Sequence, residues 1–140
     1  MAKRTFRVRL LEKTQLDRSG CWLWTAAKNA YGYGVIGLTG QHRTVLAHRA
    51  TYEMFVGPIP DGHDLDHLCR VRHCVSPAHL EPVTRRINLL RGAGETARNA
   101  AKTHCPKGHP YSGANLIVRK SGQRYCRTCH NSRKRAARLR

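Results

Sequence analysis

The sequence predicts an α+β fold of small antiparallel hairpins that depends on side-chain staples more than on a large core. Three observations lead there. Aromatic residues make up 6% of the chain against 24% charged residues, so the material for a core is thin. Six cysteines and nine histidines occur in 140 residues, and several of them stand in close pairs. Short strand-like segments bounded by Gly and Pro alternate with short helical stretches.

The length leaves room for one domain, or one domain with a small appendage. Lys and Arg number 26 against 8 acidic residues, a formal charge of +18 with a pI near 10.7. Such an excess calls for a polyanionic partner, and nucleic acid is the usual one; a generally basic or ribosomal protein is the plain alternative. No apolar run approaches the length of a membrane span. The first residues are basic and lack the apolar stretch of a secretory signal. A cytoplasmic protein is therefore expected, in which cysteines serve as metal ligands rather than disulfides.

In chain order, residues 1–20 read as a basic lead-in. Cys21 to Thr25 reads as a short strand with two large apolar anchors, Trp22 and Trp24. Residues 31–38 and 44–47 flank a basic tip and form a hairpin. His48 to Phe55 carries apolar residues at helical spacing and ends at Gly57-Pro58. Asp64 to Asp66 leads into a loop from Cys69 to Ala78, and His79 to Val83 is extended. Thr84 caps a helix over Arg85–Arg91 that Gly92 closes. A linker with a short helix over 96–102 follows, then a unit over 105–130, then a basic tail over 131–140.

The cysteines divide into two sets. Cys105 and His109, then Cys126 and Cys129, are two close pairs separated by a hairpin. Each pair can supply two ligands of a tetrahedral zinc from one turn. His104 and His130 stand beside this set as competing histidines. Cys69, Cys74 and His79 lie in one loop and leave zinc one ligand short. Cys21 is the remaining cysteine and completes the set. Sites closed by four protein ligands are structural, because a catalytic zinc keeps an open position.

Asp66, His67 and Asn88 suit a different chemistry. Hydrolysis of a phosphodiester needs a base for water and a cation at the leaving oxygen. His67 titrates in the right range to be that base. Asp66 and Asn88 are hard oxygen donors of the kind Mg²⁺ takes. On spacing alone, an Asp66-His67 pair is usually structural or at the surface, and Asn88 is more often a helix-surface residue.

Asp66-His67, His79 and Asn88 resemble the HNH motif of the His-Me finger (ββα-metal) endonucleases. The middle residue follows the first His by 12 positions, and the final Asn follows 9 later. Closest are the phage-type HNH enzymes, through Cys21–Trp24, Tyr31–Gly34, Ala47–Arg49, Gly57–Pro60, Asp66–Cys74, Pro77–Thr84 and Asn88. The segment from His67 to Asn88 also resembles the His-Cys box homing endonucleases. There the corresponding cysteines and middle histidine, with an upstream cysteine, bind zinc. The resemblance covers roughly residues 20–92 and implies a ββα-metal finger stapled by structural zinc within a core over 21–92.

It further implies a metal-dependent DNA endonuclease, phage-encoded or in a bacterial host cell. His67 would be the general base, and Asp66 and Asn88 would hold Mg²⁺ or Mn²⁺. Products would carry 5′-phosphate and 3′-hydroxyl ends. His79 stands where many HNH enzymes have Asn, so its implied role is zinc ligation.

Double-stranded DNA is the expected partner. Lys28, Asn29, Gln41, His42 and Arg43 are candidates for a groove contact through the hairpin. Arg49, Arg85, Arg86 and Arg91 are candidates for the phosphate backbone. A monomer would nick; a homodimer would make paired cuts. The alternative from another class is a zinc-containing DNA- or RNA-binding protein without catalysis. Low aromatic content makes single-strand RNA the weaker target.

Overall fold

The computed structural model describes residues 4–38 and 40–139. Among them are five α-helices and eight strands, the strands paired into four two-stranded antiparallel sheets. The expected α+β class with small hairpins is thus the class observed. No helix among the described residues is long and apolar enough to cross a membrane. The chain divides into two compact units, Met1–Asn88 and Leu89–Arg140.

In the first unit, α1 (Phe6–Leu11) starts at Thr5, whose hydroxyl accepts from Val8 N at 3.4 Å. β1 (Thr14–Leu16) pairs with β2 (Trp22–Trp24). Residues before Cys21 are therefore more than a basic lead-in. Phe6 and Leu10, spaced i and i+4, turn one face of α1 onto the core. The intervening Arg7 and Arg9 obscured that periodicity in the sequence.

β3 (Val35–Gly37) and β4 (Thr44–Leu46) form the expected hairpin, with Ile36 opposite Val45. Its tip includes Thr39, which lies outside the described residues. Lys28 and Asn29 precede this hairpin rather than belonging to it. Lys28 bridges Gly34, and the Asn29 side-chain oxygen accepts from Tyr31 N and Tyr33 N at 3.0 Å each. α2 (Ala47–Phe55) follows β4 directly and buries Ala47, His48, Thr51 and Tyr52.

The core gathers Leu10, Trp24, Ile36, Ala47 and Val75, with a second cluster of Tyr52, Leu65 and Leu80. Trp24 is its largest fully buried side chain. A Cβ on Gly34 would stand 2.5 Å from the Trp24 ring, so position 34 carries Gly because the indole lies against its backbone.

β5 (His63–His67) pairs with β6 (Leu80–Thr84), His67 opposite Leu80. Pro82 is tolerated in β6 because a two-stranded sheet needs the N–H of only one side. The strand begins at Leu80, since Pro77–His79 forms a 3₁₀ turn. α3 (Arg85–Arg91) follows at once, and the Thr84 hydroxyl accepts from Ile87 N at 3.4 Å, the cap read from the sequence.

The second unit holds α4 (Glu95–Ala101), the hairpin β7 (Leu116–Val118) with β8 (Arg124–Cys126), and α5 (Arg127–Arg138). Arg124 ties α4 to β8 through the carbonyls of Asn99 and Lys102. Only Cys105 and Cys126 are buried among its described residues. The basic tail is helical as far as Arg138 instead of a free run of charge. Its start is pinned: Cys126 Sγ accepts from Cys129 N at 3.5 Å, and Asn115 Oδ1 accepts from Thr128 N at 3.0 Å.

Candidate functional site

Cys21 reaches its place through backbone pairing that no local sequence signal announces. The β1–β2 turn closes when Asp17 Oδ2 takes the Ser19 hydroxyl at 2.7 Å and Gly20 adopts φ +79°. A Cβ at Gly20 would only touch the His79 ring, 3.8 Å away, so it is the positive φ that favours glycine there. β2 then stitches to the loop after β5: Val75 N donates to Trp22 O and Trp24 N to His73 O, both at 2.8 Å. These bonds set Cys21 beside Cys74 and His79.

The ligand atoms of Cys21, Cys69, Cys74 and His79 all lie within 4.8 Å of one another. His79 Nδ1 is 3.4 Å from Cys21 Sγ and 3.6 Å from Cys74 Sγ. In the second unit Cys105, His109, Cys126 and Cys129 converge likewise. Cys105 Sγ is 3.7 Å from Cys129 Sγ, and His109 Nδ1 is 3.2 Å from Cys129 Sγ. A tetrahedron with Zn–S arms of about 2.3 Å has edges of about 3.8 Å. Both clusters fit that ion. His104 turns to Thr103 instead, its Nδ1 3.0 Å from the Thr103 hydroxyl.

The thiols show why a cation suits these places. Burial pushes Cys74 up to about 12, with Cys21 and Cys69 adding to the cost of a second negative charge. Burial likewise pushes Cys129 up to about 11, reinforced by Cys105 and Cys126. A divalent ion removes that cost by accepting the thiolates directly.

The hydrolytic candidates lie on β5 and α3. Asp66 is 3% exposed and His67 is 7% exposed. His67 Nε2 sits 3.0 Å from Cys74 O. A carbonyl only accepts, so Nε2 carries the proton and the lone pair of the neutral ring is on Nδ1. The residue that aims the imidazole is thus a ligand residue of the first cluster. Burial holds His67 below its ordinary value, against the opposing pull of the Cys74 carbonyl and Asp66, so the neutral ring is favoured.

Two neighbours box that ring. His48 packs edge-on against it at 4.8 Å between centroids, and Tyr33 lies 5.8 Å away. His48 is 5% exposed, its Nδ1 has no hydrogen-bond partner, and burial pushes its pKa down to about 3, with His67 and Arg49 adding to the shift. Both histidines are therefore held as neutral rings.

Asp66 Oδ1 accepts from Arg70 Nη1 at 2.6 Å, so a cation already sits on this carboxylate. Arg70 adopts φ 59° and its side chain is half exposed. Asn88 is the half-buried member of a helix whose arginines, Arg85, Arg86 and Arg91, are exposed. Its Nδ2 donates to Asp64 Oδ2 at 3.3 Å. Asp64 and Asp66, two apart on β5, share one strand face. Asp64 was not singled out from sequence, although the i, i+2 spacing of two aspartates was the available signal. His48 was visible only as part of Ala47-His48-Arg49.

Of the DNA candidates, Gln41, His42 and Arg43 are exposed near the β3–β4 tip and Lys28 is exposed before it. The Asn29 oxygen is committed to its own turn, as above. Arg49 is half-buried and lines a shallow hollow of about 420 Å³ with Phe6, Leu46 and Glu53.

Residues 45–90 match the HNH endonuclease family. Protein 2.8 of Escherichia phage T7 is 32% identical over 82 residues, covering 59% of this chain and 55% of the relative. The gene 5.3 protein of Enterobacteria phage T3 is 35% identical over 52 residues, 37% of this chain and 52% of the relative. Protein 7.7 of phage T7 is 35% identical over 68 residues, 49% and 51% respectively. The chain spans about half the length of these curated relatives. No solved structure matches it. β5, the ligand loop, β6 and α3 as far as Leu90 lie inside the segment that matches the HNH endonuclease family, and the chain is similar to curated phage proteins.

Proposed function

We propose that the chain is a metal-dependent DNA endonuclease that hydrolyses phosphodiester bonds to 5′-phosphate and 3′-hydroxyl ends. The observation that carries this reading is the setting of His67 in the HNH segment. Its ring is buried, hydrogen-bonded through Nε2 to Cys74 O, and boxed by His48 and Tyr33. Nδ1 is then the atom that takes the proton of the attacking water, so His67 acts as general base.

Asp66 and Asn88 offer hard oxygens that fit Mg²⁺ or Mn²⁺, which when bound supplies positive charge at the leaving 3′ oxygen. Asp64 takes the Asn88 amide N–H₂, which leaves Oδ1 as the end presented to such an ion. The four residues around the first zinc cluster hold the loop that aims His67, a positioning role separate from catalysis. Exposed Arg85 and Arg86 on α3 suit the phosphate backbone flanking the cut.

The test is cleavage of supercoiled plasmid with Mg²⁺, wild type against His67→Ala at equal zinc content. A general base contributes about 10²- to 10⁴-fold, so the variant should cut at least 100-fold more slowly. Early nicked product would mean single cuts, and early linear product paired cuts. Two inert proteins that both bind DNA would instead make the chain a binding module on a nuclease scaffold.

A further inference from the structure

The positive charge is unevenly divided. Residues 89–140 carry 13 Lys and Arg against the single acidic Glu95, so 12 of the 18 net charges lie in the second unit. Much of it is on α5. At 100° per residue, Asn131, Lys134, Arg135 and Arg138 fall within one arc of about 100°. Cys129 lies on the opposite side, turned to His109 and Cys105. All four residues of the arc are exposed.

The start of the helix is anchored where a free basic tail would have nothing. Asn115 holds Thr128 through N–H and hydroxyl, at 3.0 and 2.8 Å, and Arg127 Nε donates to Ala114 O at 2.6 Å. Arg127 is thereby spent on the scaffold, and the four residues beyond it are left for a partner. We propose that α5 is a second DNA-docking element, which lays Asn131, Lys134, Arg135 and Arg138 into the major groove of duplex DNA.

Charge identifies the partner as a polyanion, and shape selects the duplex. A helix about 10–12 Å across matches the roughly 12 Å major groove of B-DNA. The major groove of duplex RNA is deep and narrow and refuses it. Lys and Arg on that face would meet the phosphates that wall the groove, and Asn131 is the side chain suited to a base edge. Joined in one chain to the HNH domain, this helix raises the local concentration of substrate for it. The inference deepens the DNA-endonuclease reading but rests on duplex binding and not on hydrolysis.

The experiment is fluorescence anisotropy of the full zinc-loaded chain on a 30-base-pair DNA duplex across a salt series, with no Mg²⁺ or Mn²⁺ added, to prevent cutting, and zinc content checked afterwards. Lys134→Ala/Arg135→Ala/Arg138→Ala is compared with the wild type and with Arg133→Ala, which removes a charge from the other side of the helix. Each lost phosphate contact lowers the slope of log K against log salt by about 0.9, so the triple variant should lose about 2 to 3 units and bind at least about 10-fold more weakly. Arg133→Ala should change the slope by less than about 1.

An unchanged slope in a triple variant that keeps its zinc and its helicity overturns the proposal. So does equal weakening on a duplex RNA of the same sequence, which would make α5 a general polyanion contact. Plasmid cleavage stays a separate readout: a chain that never cuts yet shows the slope change refutes the nuclease reading alone.

Discussion

The two units solve the same local problem with opposite means. Each carries three cysteines and one histidine around a hairpin that runs into a helix. In the first unit that cluster sits beside two apolar clusters, eight buried core residues including Trp24, Leu10 and Val75. In the second, Cys105 and Cys126 are the buried residues among those described, and both belong to the cluster itself. The first cluster therefore refines a fold that hydrophobic burial already favours, by holding the His67 loop in place. The second cluster takes the place of a core. A small unit with so little apolar surface to bury would gain its folding free energy from a metal at that cluster.

The largest effect expected from this contrast follows loss of a ligand in the second unit. Cys129→Ala should lower zinc from two ions per chain to one and unfold α5, because structural zinc in small domains supplies about 10 kcal/mol or more. Amide exchange in β5 and β6 should stay protected. Loss of protection there as well would show that the units do not fold separately.

The converse change is Trp24→Ala, which should cost the first unit about 3–5 kcal/mol through the cavity it leaves. The thermal transition of that unit should drop while α5 keeps its helical signal. Equal loss in both would erase the contrast between a core-built and a metal-built unit.

A smaller effect sharpens the site. Asp64→Ala removes the acceptor of the Asn88 amide. It should raise the Mg²⁺ needed for half-maximal cleavage by about 10- to 100-fold, the usual cost of losing a group that orients a metal ligand. Mn²⁺ binding followed by electron paramagnetic resonance should weaken in step, with zinc unchanged. Normal Mn²⁺ affinity would remove Asp64 from the site.

The smallest effect concerns pH. His48 stays neutral in the fold down to about 3, whereas the unfolded chain takes up its proton near 6.5. Its contribution is complete above pH 6.5 and erodes as pH falls toward 3, by at most about 1.4 kcal/mol per unit. Zinc loss on acidification affects wild type and variant alike, so the comparison is their difference. Between pH 6.5 and 5 the wild type should lose stability faster than His48→Phe. Parallel curves would mean that His48 is not held neutral.

Much of the candidate site was legible because its signals are local. Cys69, Cys74 and His79 share one loop; Cys105 with His109 and Cys126 with Cys129 share one turn each. Thr84 before Arg85–Arg91 is a local cap, and the structure shows the hydrogen bond. The partnership of Asn88 was less legible. Sequence pointed to Asp66 as its companion, yet its hydrogen bond goes to Asp64, because the side chain follows the register of β5 against β6 and the entry angle of α3. α1 was missed because its apolar residues alternate with arginines over too short a span. The helix of the tail was missed because a run of charges carries no apolar period.

By itself the sequence determined the charge, the two Cys/His sets, most of the short elements and the order of Asp66, His67 and Asn88, since composition and near-neighbour spacing are properties of the chain. The tertiary structure decided what pairs across distance. Cys21 reaches Cys74 and His79 through the bonds of β2 to the loop after β5. His48 and Tyr33 come to enclose His67 through the packing of α2 and the β3 approach. Which nitrogen of His67 is left as the base depends on one carbonyl, that of Cys74. Those choices come from packing and strand register, which couple residues far apart in sequence and leave no mark on the spacing between them.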